Sequence, residues 1–274
     1  MSATQQDKAA RFCALHEGPG VFVIPNPWDA GSARLLVGLG FQALATSSWA
    51  AAGTLGRRDG NVSRDEALAM ARAIVGATDL PVSADLENGF DAAPDFVSET
   101  IRLAADAGVV GGSIEDATGD KDRPLYDLDL ATERVAAAVQ AARALPFPFV
   151  LTARAENFVR GRPDLADTIK RLQAYEKAGA DVLFAPGLPD LAAVRAVCSA
   201  VSKPVNTTNG TKSGVFSVAE LAAAGVKRIS TATSLYRAAM TGLRDAAREL
   251  QEAGTFGFLD RSVSSVELAG YMRS

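Results

Sequence analysis

Residues 81–90 read P-V-S-A-D-L-E-N-G-F, and the fold of the chain can be worked out from this stretch. Residues 81–84 predict a short buried strand, which delivers Asp85 and Glu87 into a polar turn. Because strand side chains alternate between faces, these two carboxylates point the same way. Neighbouring carboxylates inside a folded domain are costly unless a cation neutralises them, and oxygen ligands suit Mg²⁺ or Mn²⁺. The alternative is a turn with two solvated acids.

Outward from this stretch, short apolar runs alternate with helical patterns. A glycine of the kind that ends a helix stands before four of these runs, at Gly40, Gly108, Gly179 and Gly225. The four runs cover residues 41–46, 109–114, 181–185 and 226–230. Proline precedes three further runs, at Pro81, Pro148 and Pro204, and residues 21–24 form the first run of the chain.

These runs predict about eight strands separated by about seven helices. Continuous apolar strands that alternate with helices indicate a parallel sheet covered on both faces. Eight such units in 274 residues predict an α/β fold, the (β/α)₈ TIM barrel. A doubly wound open sheet is the alternative, but no G-x-G-x-x-G follows the first strand.

The chain is expected to form one domain over residues 1–274, because no low-complexity linker divides it. An N-terminal helix is predicted over residues 5–16, the barrel over about 20–253, and an extra C-terminal tail over 254–274. The tail has many apolar positions for a free segment: Phe256, Phe258, Leu259, Val263, Val266, Leu268 and Tyr271. It is therefore expected to pack on this barrel or on a neighbouring subunit.

Composition excludes several classes of function. The net charge of −4 gives no basic field for nucleic acid or for an anionic membrane, and no run of about 18 apolar residues occurs. Two distant cysteines indicate neither a disulfide scaffold nor a zinc site. With His16 as the one histidine, placed in the polar N-terminal helix, acid–base chemistry falls to other residues. A cytoplasmic enzyme fits these features best.

In a (β/α)₈ barrel, the chemistry lies at the carboxyl ends of the strands. The second strand is expected to lead into a long loop over residues 50–61. The polar or aromatic residues predicted at the strand ends, or in that loop, are Ser47, Ser48, Trp49, Asp59, Asp85, Glu87, Glu115, Asp116, Arg154, Glu156 and Asn206. Converging carboxylates beside one arginine would repel one another without a metal, so a metal site is favoured over scattered surface acids.

Five motifs resemble the isocitrate lyase/phosphoenolpyruvate mutase superfamily, in register over about residues 20–245. Besides residues 81–90, they are N-P-W-D-A-G-S-A-R-L-L at 26–36, L-G-R-R-D-G at 55–60, S-I-E-D at 113–116 and T-A-R-A-E at 152–156. The resemblance implies a barrel that binds Mg²⁺ and a 2-oxo or 2-hydroxy acid, and that breaks or forms the bond next to an enolate. It also implies a homodimer or homotetramer in which C-terminal helices are exchanged.

The resemblance also implies roles for particular acids. Asp85 matches the acid that contacts Mg²⁺ directly. Glu87, Glu115 and Asp59 match acids that hold the water shell of the metal or close over the site. Asp59 is also a candidate catalytic residue.

For the substrate, the resemblance implies a binding turn and an arginine. Ser47-Ser48-Trp49 matches the turn that holds the substrate carboxylate and the enolate oxygen, and Arg154 matches the arginine that grips the substrate. Ser47 and Arg154 are candidate catalytic residues as well. Glu156 and Asn206 are further candidates for substrate binding. An arginine fork suits carboxylate or phosphonate oxygens.

The loop after the fourth strand departs from the superfamily. Residues 117–127 read A-T-G-D-K-D-R-P-L-Y-D, without the K-[KR]-C-G-H element of the isocitrate and methylisocitrate lyases or the P-K-x-N-S element of phosphonopyruvate-type members. Lys121 and Arg123 could supply positive charge there. The candidate proton donors for an enolate are Lys121, a tyrosine and water. A solvated loop is the alternative, and its glycine and charges would also suit a lid.

Three hypotheses remain open from the sequence. The favoured one is a Mg²⁺-dependent lyase or decarboxylase that cleaves a C–C bond of a small 2-oxo or 2-hydroxy di- or tricarboxylic acid. The second is an enzyme of P–C bonds, of the phosphoenolpyruvate mutase or phosphonopyruvate hydrolase type. The third is a barrel that binds an oxo acid without turnover.

Overall fold

The computed structural model describes residues 3–210 and 214–272, so the outermost residues of the predicted domain and tail, 1–2 and 273–274, lie outside it. The strands are β1 (Phe22–Ile24), β2 (Leu44–Ala45), β3 (Val82–Asp85), β4 (Gly111–Glu115), β5 (Val150–Arg154), β6 (Val182–Phe184), β7 (Val205–Thr208) and β8 (Arg228–Ser230). The helices are α1 (Gln5–Glu17), α2 (Ala30–Gly38), α3 (Ser48–Thr54), α4 (Arg64–Ala77), α5 (Pro94–Asp106), α6 (Leu128–Arg143), α7 (Leu165–Lys177), α8 (Leu191–Ala200), α9 (Val218–Ala223), α10 (Ser234–Ala253) and α11 (Ser265–Tyr271).

The strands form one parallel sheet in the order β1-β8-β7-β6-β5-β4-β3-β2. The ladder is open between β1 and β2, where the backbone N–H of Ala45 donates a hydrogen bond of 3.0 Å to the carbonyl of Pro25. Proline has no N–H to donate, which limits further pairing at this point. The result is a nearly closed barrel surrounded by helices, and the predicted (β/α)₈ fold is confirmed.

Glycines end the helices before four of the strands, as predicted. Gly40, Gly108, Gly179 and Gly225 all have positive φ, between 88° and 100°. The strands themselves are shorter than the apolar runs: the run 41–46 contains only the two strand residues of β2. Asp85 and Glu115 are the last residues of β3 and β4, so both acids belong to strand ends.

The long loop expected over residues 50–61 is wrong in its first part, because residues 48–54 form α3. The Ser47 side chain caps this helix by accepting a hydrogen bond from the backbone N–H of Ala50. The three alanines after Trp49 favour this helix, because alanine has the highest intrinsic helix propensity. The loop that carries Asp59 therefore begins only after Thr54.

Helix α1 covers the amino-terminal end of the barrel. Its Phe12 is fully buried, with its ring close to Gly111 at the start of β4. His16 lies in the same helix but is buried rather than on a polar face, which the polar character of this segment did not indicate. Its Nδ1 lies 2.8 Å from the Phe12 carbonyl and its Nε2 lies 3.2 Å from Nη1 of Arg228.

The C-terminal segment is the most exposed part of the described chain. Only Tyr236 of α10 is buried, and no residue of α11 is. Helix α11 contacts α2 of the same chain, where the Tyr271 ring approaches Gly38. The predicted exchange of C-terminal helices between subunits stays a prediction. Within the described residues, no helix is both long and apolar enough to span a membrane.

Candidate active site

A cavity of about 580 Å³ opens at the carboxyl ends of the strands. Nine of the predicted site residues line it: Ser47, Ser48, Trp49, Asp59, Asp85, Glu115, Arg154, Glu156 and Asn206. Glu87 and Lys121 are not among the lining residues. The fold thus brings together residues from β2, β3, β4, β5 and β7 that are far apart in the sequence.

Arg154 lies at the centre of the charged part of this cavity. Its guanidinium contacts Asp85 at 3.3 Å, Glu115 at 3.3 Å and Glu156 at 2.8 Å. The same group stacks over the Phe184 ring, 4.8 Å from its centroid. Although burial disfavours its charge, the three carboxylates raise the pKa of Arg154. The arginine therefore stays charged and holds two acids at the ends of β3 and β4 and a third, Glu156, just beyond the end of β5.

Arg160 also contacts these acids, and sequence analysis missed it. Its Nη2 lies 2.8 Å from Oε1 of Glu115 and its Nε lies 3.2 Å from Oε2 of Glu156. Arg160 lies in the loop after β5 and lines the cavity. The available signal was its place four residues after Glu156, close to the recognised T-A-R-A-E motif.

The carboxylate of Asp85 is held in place by the turn after β2. The Ser48 backbone N–H donates to Oδ2 of Asp85 at 3.0 Å, and the Glu87 N–H donates to Oδ1 at 3.3 Å. The Asp85 N–H donates to the Thr46 hydroxyl at 2.8 Å. Asn26, from the recognised N-P-W-D motif, donates through Nδ2 to the Thr46 carbonyl at 2.8 Å. These bonds join two of the recognised motifs and the turn after β2 around one acid.

Glu87 is strained and incompletely satisfied. Its φ is 48°, in the left-handed region that residues other than glycine rarely adopt. Its buried Oε1 has no hydrogen-bond partner among the described residues. Burial, and then the charges of Asp85 and Asp59, raise the pKa of Glu87 to about 7. Strain of this kind persists where the surrounding structure imposes it, commonly at functional sites.

The pKa values of two other acids are also raised. Burial raises the pKa of Glu115, and the charges of Glu156 and Asp85 raise it further, whereas Arg154 and Arg160 lower it. Asp59 lies on an exposed loop, yet its carboxylate faces the cavity, and desolvation followed by the charge of Asp85 raises its pKa. Raised carboxyl pKa values in a cleft indicate a functional site or a site for a cation.

The donor set fits a magnesium ion that keeps most of its water. No group of three or more acid, histidine or cysteine side chains in the described residues is close enough to form a direct metal cage. Mg²⁺, however, is commonly held by one or two carboxylates with water and substrate completing the shell. The unpaired oxygen of Glu87 near the fixed carboxylate of Asp85 suits such a hydrated cation.

Asp116 is a strand-end acid that lies outside the site. Its carboxylate accepts hydrogen bonds from Tyr175 at 2.6 Å, Arg171 at 3.1 Å and the Glu156 backbone N–H at 2.8 Å. The residue does not line the cavity. It thus packs between the barrel and α7.

Lys121 lies in an exposed hairpin whose residues Ala117 and Leu125 form an isolated β-bridge. Thr118 ties this hairpin together through hydrogen bonds with Asp120 and with the Arg123 carbonyl. In the described conformation the Lys121 side chain is outside the cavity. Its predicted role as proton donor stays a prediction.

The wall formed by β7 and β8 has polar atoms without partners. Among the described residues, Nδ2 of Asn206, Oγ1 of Thr208 and Nε of Arg228 are buried and unpaired, and all three residues line the cavity. Arg228 is buried with neutral partners, His16 and the Thr152 hydroxyl. Burial lowers the pKa of Arg228 to about 9. Of these residues, the sequence analysis predicted Asn206 alone.

A parallel barrel with carboxylates and arginines converging in a cavity at the carboxyl ends of its strands has the arrangement of a TIM-barrel active site. The family model for phosphoenolpyruvate phosphomutase matches residues 12–251. The chain therefore belongs to this family, within the isocitrate lyase/phosphoenolpyruvate mutase superfamily.

Individual relatives agree with this placement. The chain is 31% identical to the 2-methylisocitrate lyase of Escherichia coli K12, over 93% of this chain and 88% of that protein. A crystal structure from Burkholderia cenocepacia J2315, provisionally named a lyase/mutase, is 55% identical with a TM-score of 0.96, covering 97% of this chain and 96% of that one. A structure of oxaloacetate acetylhydrolase with its product oxalate is 25% identical with a TM-score of 0.89, covering 98% and 94%. The relatives support an enzyme of the lyase or mutase class.

Proposed function

We propose that this protein is a Mg²⁺-dependent lyase or decarboxylase that cleaves a C–C bond of a small 2-oxo or 2-hydroxy di- or tricarboxylic acid. The reaction passes through an enolate. The observation that carries the proposal is the arrangement of Asp85, Glu115 and Glu156 around Arg154 in a cavity of about 580 Å³. A cytoplasmic location belongs to the same proposal.

Asp85 would hold Mg²⁺, or Mn²⁺ in its place, with Glu87, Glu115 and Asp59 around its water shell. When bound, the metal supplies Lewis-acid stabilisation of the negative charge that develops on bond cleavage. The fixed hydrogen bonds to Asp85 keep this carboxylate oriented before the substrate arrives.

The substrate acid would lie between the turn after β2 and the arginine. Ser47, Ser48 and Trp49 line the cavity on one side, and Arg154 offers a planar fork on the other. Two of the four arginines that line the cavity, Arg154 and Arg228, are largely buried, so an anion beside them is shielded from water. Removal of water strengthens each of these charge interactions.

The unpaired donors on β7 and β8 support a substrate with a second acidic group. Asn206 and Arg228 each present a buried N–H without an acceptor, and such groups are costly unless a ligand satisfies them. A dicarboxylic or tricarboxylic acid would supply acceptor oxygens at this wall while its other end binds near Asp85. A monoacid would leave the donors unpaired.

Cleavage of a P–C bond is the second candidate, and the name of the matching family favours it. The loop over residues 117–127 lacks the P-K-x-N-S element of phosphonopyruvate-type members, which weighs against phosphoryl handling. A barrel that binds an oxo acid without turnover is the third. Retention of four acid positions beside Arg154 weighs against it, because repelling carboxylates serve no purpose in a degenerate site.

The test is turnover followed by NMR with oxaloacetate, methylisocitrate, dimethylmalate and phosphonopyruvate, each with Mg²⁺ and with EDTA. Mg²⁺-dependent release of pyruvate, CO₂ or a second acid from a carbon substrate supports the lyase. Phosphate or phosphoenolpyruvate from phosphonopyruvate alone would replace it with P–C chemistry. Metal-dependent binding without any product would favour the third candidate.

We also propose that the protein is a homodimer or homotetramer joined through its C-terminal tail. Phe256, Leu259, Val263 and Val266 are between 56% and 85% exposed, which is unusual for so many apolar residues in one segment. Deletion of residues 255–274 is therefore expected to lower the mass in light scattering to that of a smaller assembly. An unchanged mass, with the helical signal of the barrel retained, would refute this role of the tail.

A further inference from the structure

The two arginines of the site differ in how firmly they are held. Arg154 contacts three acids, stacks on Phe184, and its side chain is only 16% exposed. Arg160 contacts two acids from a loop, and its side chain is 38% exposed. Arg160 therefore has both the solvent access and the weaker support that a side-chain movement requires.

Both arginines contact Glu115, so a metal bound at this acid would compete with them for its carboxylate. Its Oε1 lies 2.8 Å from Arg160 and its Oε2 lies 3.3 Å from Arg154, so each oxygen faces a guanidinium. Glu115 is also one of the acids proposed to surround the bound Mg²⁺. A dication beside two guanidinium groups experiences like-charge repulsion, which is strong in a buried site. The more mobile cation is the one that can relieve this repulsion.

We propose that Arg160 is an exchangeable counter-ion and substrate-binding residue of the site. In the metal-free protein it neutralises Glu115 and Glu156. When a divalent cation binds, it leaves Glu115 and binds an acidic group of the substrate in the cavity that it lines. This inference rests on the proposed function, because it requires a metal at these carboxylates.

The chemistry of Arg160 suits both positions. Its planar fork binds a side-chain carboxylate and would bind a substrate carboxylate or phosphonate in the same way. Its backbone N–H donates to the Glu156 carbonyl at 3.0 Å, so the main chain stays fixed while the side chain moves. Exchange between two carboxylates therefore needs no rearrangement of the loop backbone.

Calorimetry with Mg²⁺ alone, and then with oxalate at saturating Mg²⁺, tests this inference without turnover. In Arg160→Gln, the acids lose a competing cation, so Mg²⁺ is expected to bind about tenfold more tightly. Oxalate loses a charged donor and is expected to bind about tenfold more weakly. The opposite directions are diagnostic, because general damage to the site would weaken both.

Arg162→Gln is the matched control. Arg162 is exposed on the same loop, and none of the ion pairs found in the described residues involves its side chain. Arg162→Gln should therefore leave the affinities for Mg²⁺ and for oxalate unchanged. Arg160→Lys keeps the charge but not the fork, so it should leave Mg²⁺ affinity near that of the wild type and weaken oxalate.

Unchanged Mg²⁺ affinity in Arg160→Gln, or equal weakening of both ligands, would overturn the inference while leaving the proposed function intact. Failure of the wild type itself to bind Mg²⁺ would overturn both. The two failures are distinguished by the wild-type titration alone.

Discussion

Glu115 and Asp116 are consecutive acids at the carboxyl end of β4, yet they belong to different parts of the molecule. Glu115 points into the barrel, where two arginines that line the cavity contact it. Asp116 points outward, where Arg171, Tyr175 and the Glu156 backbone N–H all donate to it. Because neighbouring side chains alternate at a strand end, one acid serves the site and the other serves the scaffold.

The difference lies in how completely each acid is satisfied. Every partner of Asp116 is a hydrogen-bond donor, so the ionised carboxylate satisfies them all, even though burial raises the pKa of Asp116. The partners of Glu115 are shared with Glu156 and Asp85, and the cavity leaves space for a cation. An acid with fixed donors stabilises the fold, whereas one that shares mobile cations can exchange them for a ligand.

The largest effect is expected for stability at Asp116. Asp116→Asn places an amide N–H against Tyr175 or Arg171 and leaves the buried guanidinium of Arg171 with Asp167 as its remaining charge partner. The free energy of unfolding should fall by about 3 kcal/mol, measured by denaturant titration. Glu115→Gln is the matched variant. It should lower the free energy of unfolding by about 1 kcal/mol or less, or raise it, because site residues are often not optimised for stability. Equal losses of stability in the two variants would contradict the distinction between Glu115 as an acid of the site and Asp116 as an acid of the scaffold.

The positions of these acids show what the sequence could predict. Glycine joins and apolar runs predicted the barrel, and the barrel placed Asp85, Glu115, Arg154 and Asn206 at one face. The residue pattern of S-I-E-D does not by itself distinguish the acid that faces inward from the one that faces outward, because that depends on where β4 ends. Only the resemblance to the superfamily assigned Glu115 to the site. The structure ends the strand at Glu115, one residue beyond the predicted run.

The long-range contacts of the arginines could not be predicted for a different reason. The place of Arg160 four residues after Glu156 was visible in the sequence. Arg160 and Arg228 also contact residues 45 or more positions away in the chain, which are Glu115, Thr152 and His16. Such contacts follow from how loops and strands close in three dimensions, which local patterns do not encode. The alanines of α3, in contrast, carried a helix signal that was available from the sequence.

Metal affinity should also distinguish an acid of the site, Asp85, from the scaffold acid Asp116. Asp85→Ala should weaken Mg²⁺ binding by about 100-fold or more in calorimetry, because it removes the carboxylate proposed to contact the metal. Asp116→Asn, assayed where it remains folded, should change the affinity far less. Thermal unfolding of Asp85→Ala should remain close to that of the wild type. Unchanged Mg²⁺ affinity in Asp85→Ala would remove the metal assignment.

The smallest effect is expected from Glu87, an acid that has neither the donors of Asp116 nor the arginines of Glu115. Its pKa is raised from 4.5 to about 7, so between these pH values the folded protein binds more protons than the unfolded chain. The free energy of unfolding should therefore fall by about 1–3 kcal/mol as the pH rises through this window.

Glu87→Gln tests this pH dependence, because the amide keeps the shape of the side chain and cannot ionise. The variant should be more stable than the wild type at pH 8 and similar to it at pH 4.5, with unfolding by denaturant as the measurement. Asp95→Asn, at an exposed acid in the first turn of α5, is the control and should leave the pH dependence of the free energy of unfolding unchanged.

The proton of Glu87 must leave before a cation binds beside this acid, so the affinity of the wild type for Mg²⁺ should rise between pH 6 and 8. If neither the free energy of unfolding nor the affinity for Mg²⁺ changed with pH, Glu87 would already be ionised at low pH, and water would satisfy its unpaired oxygen.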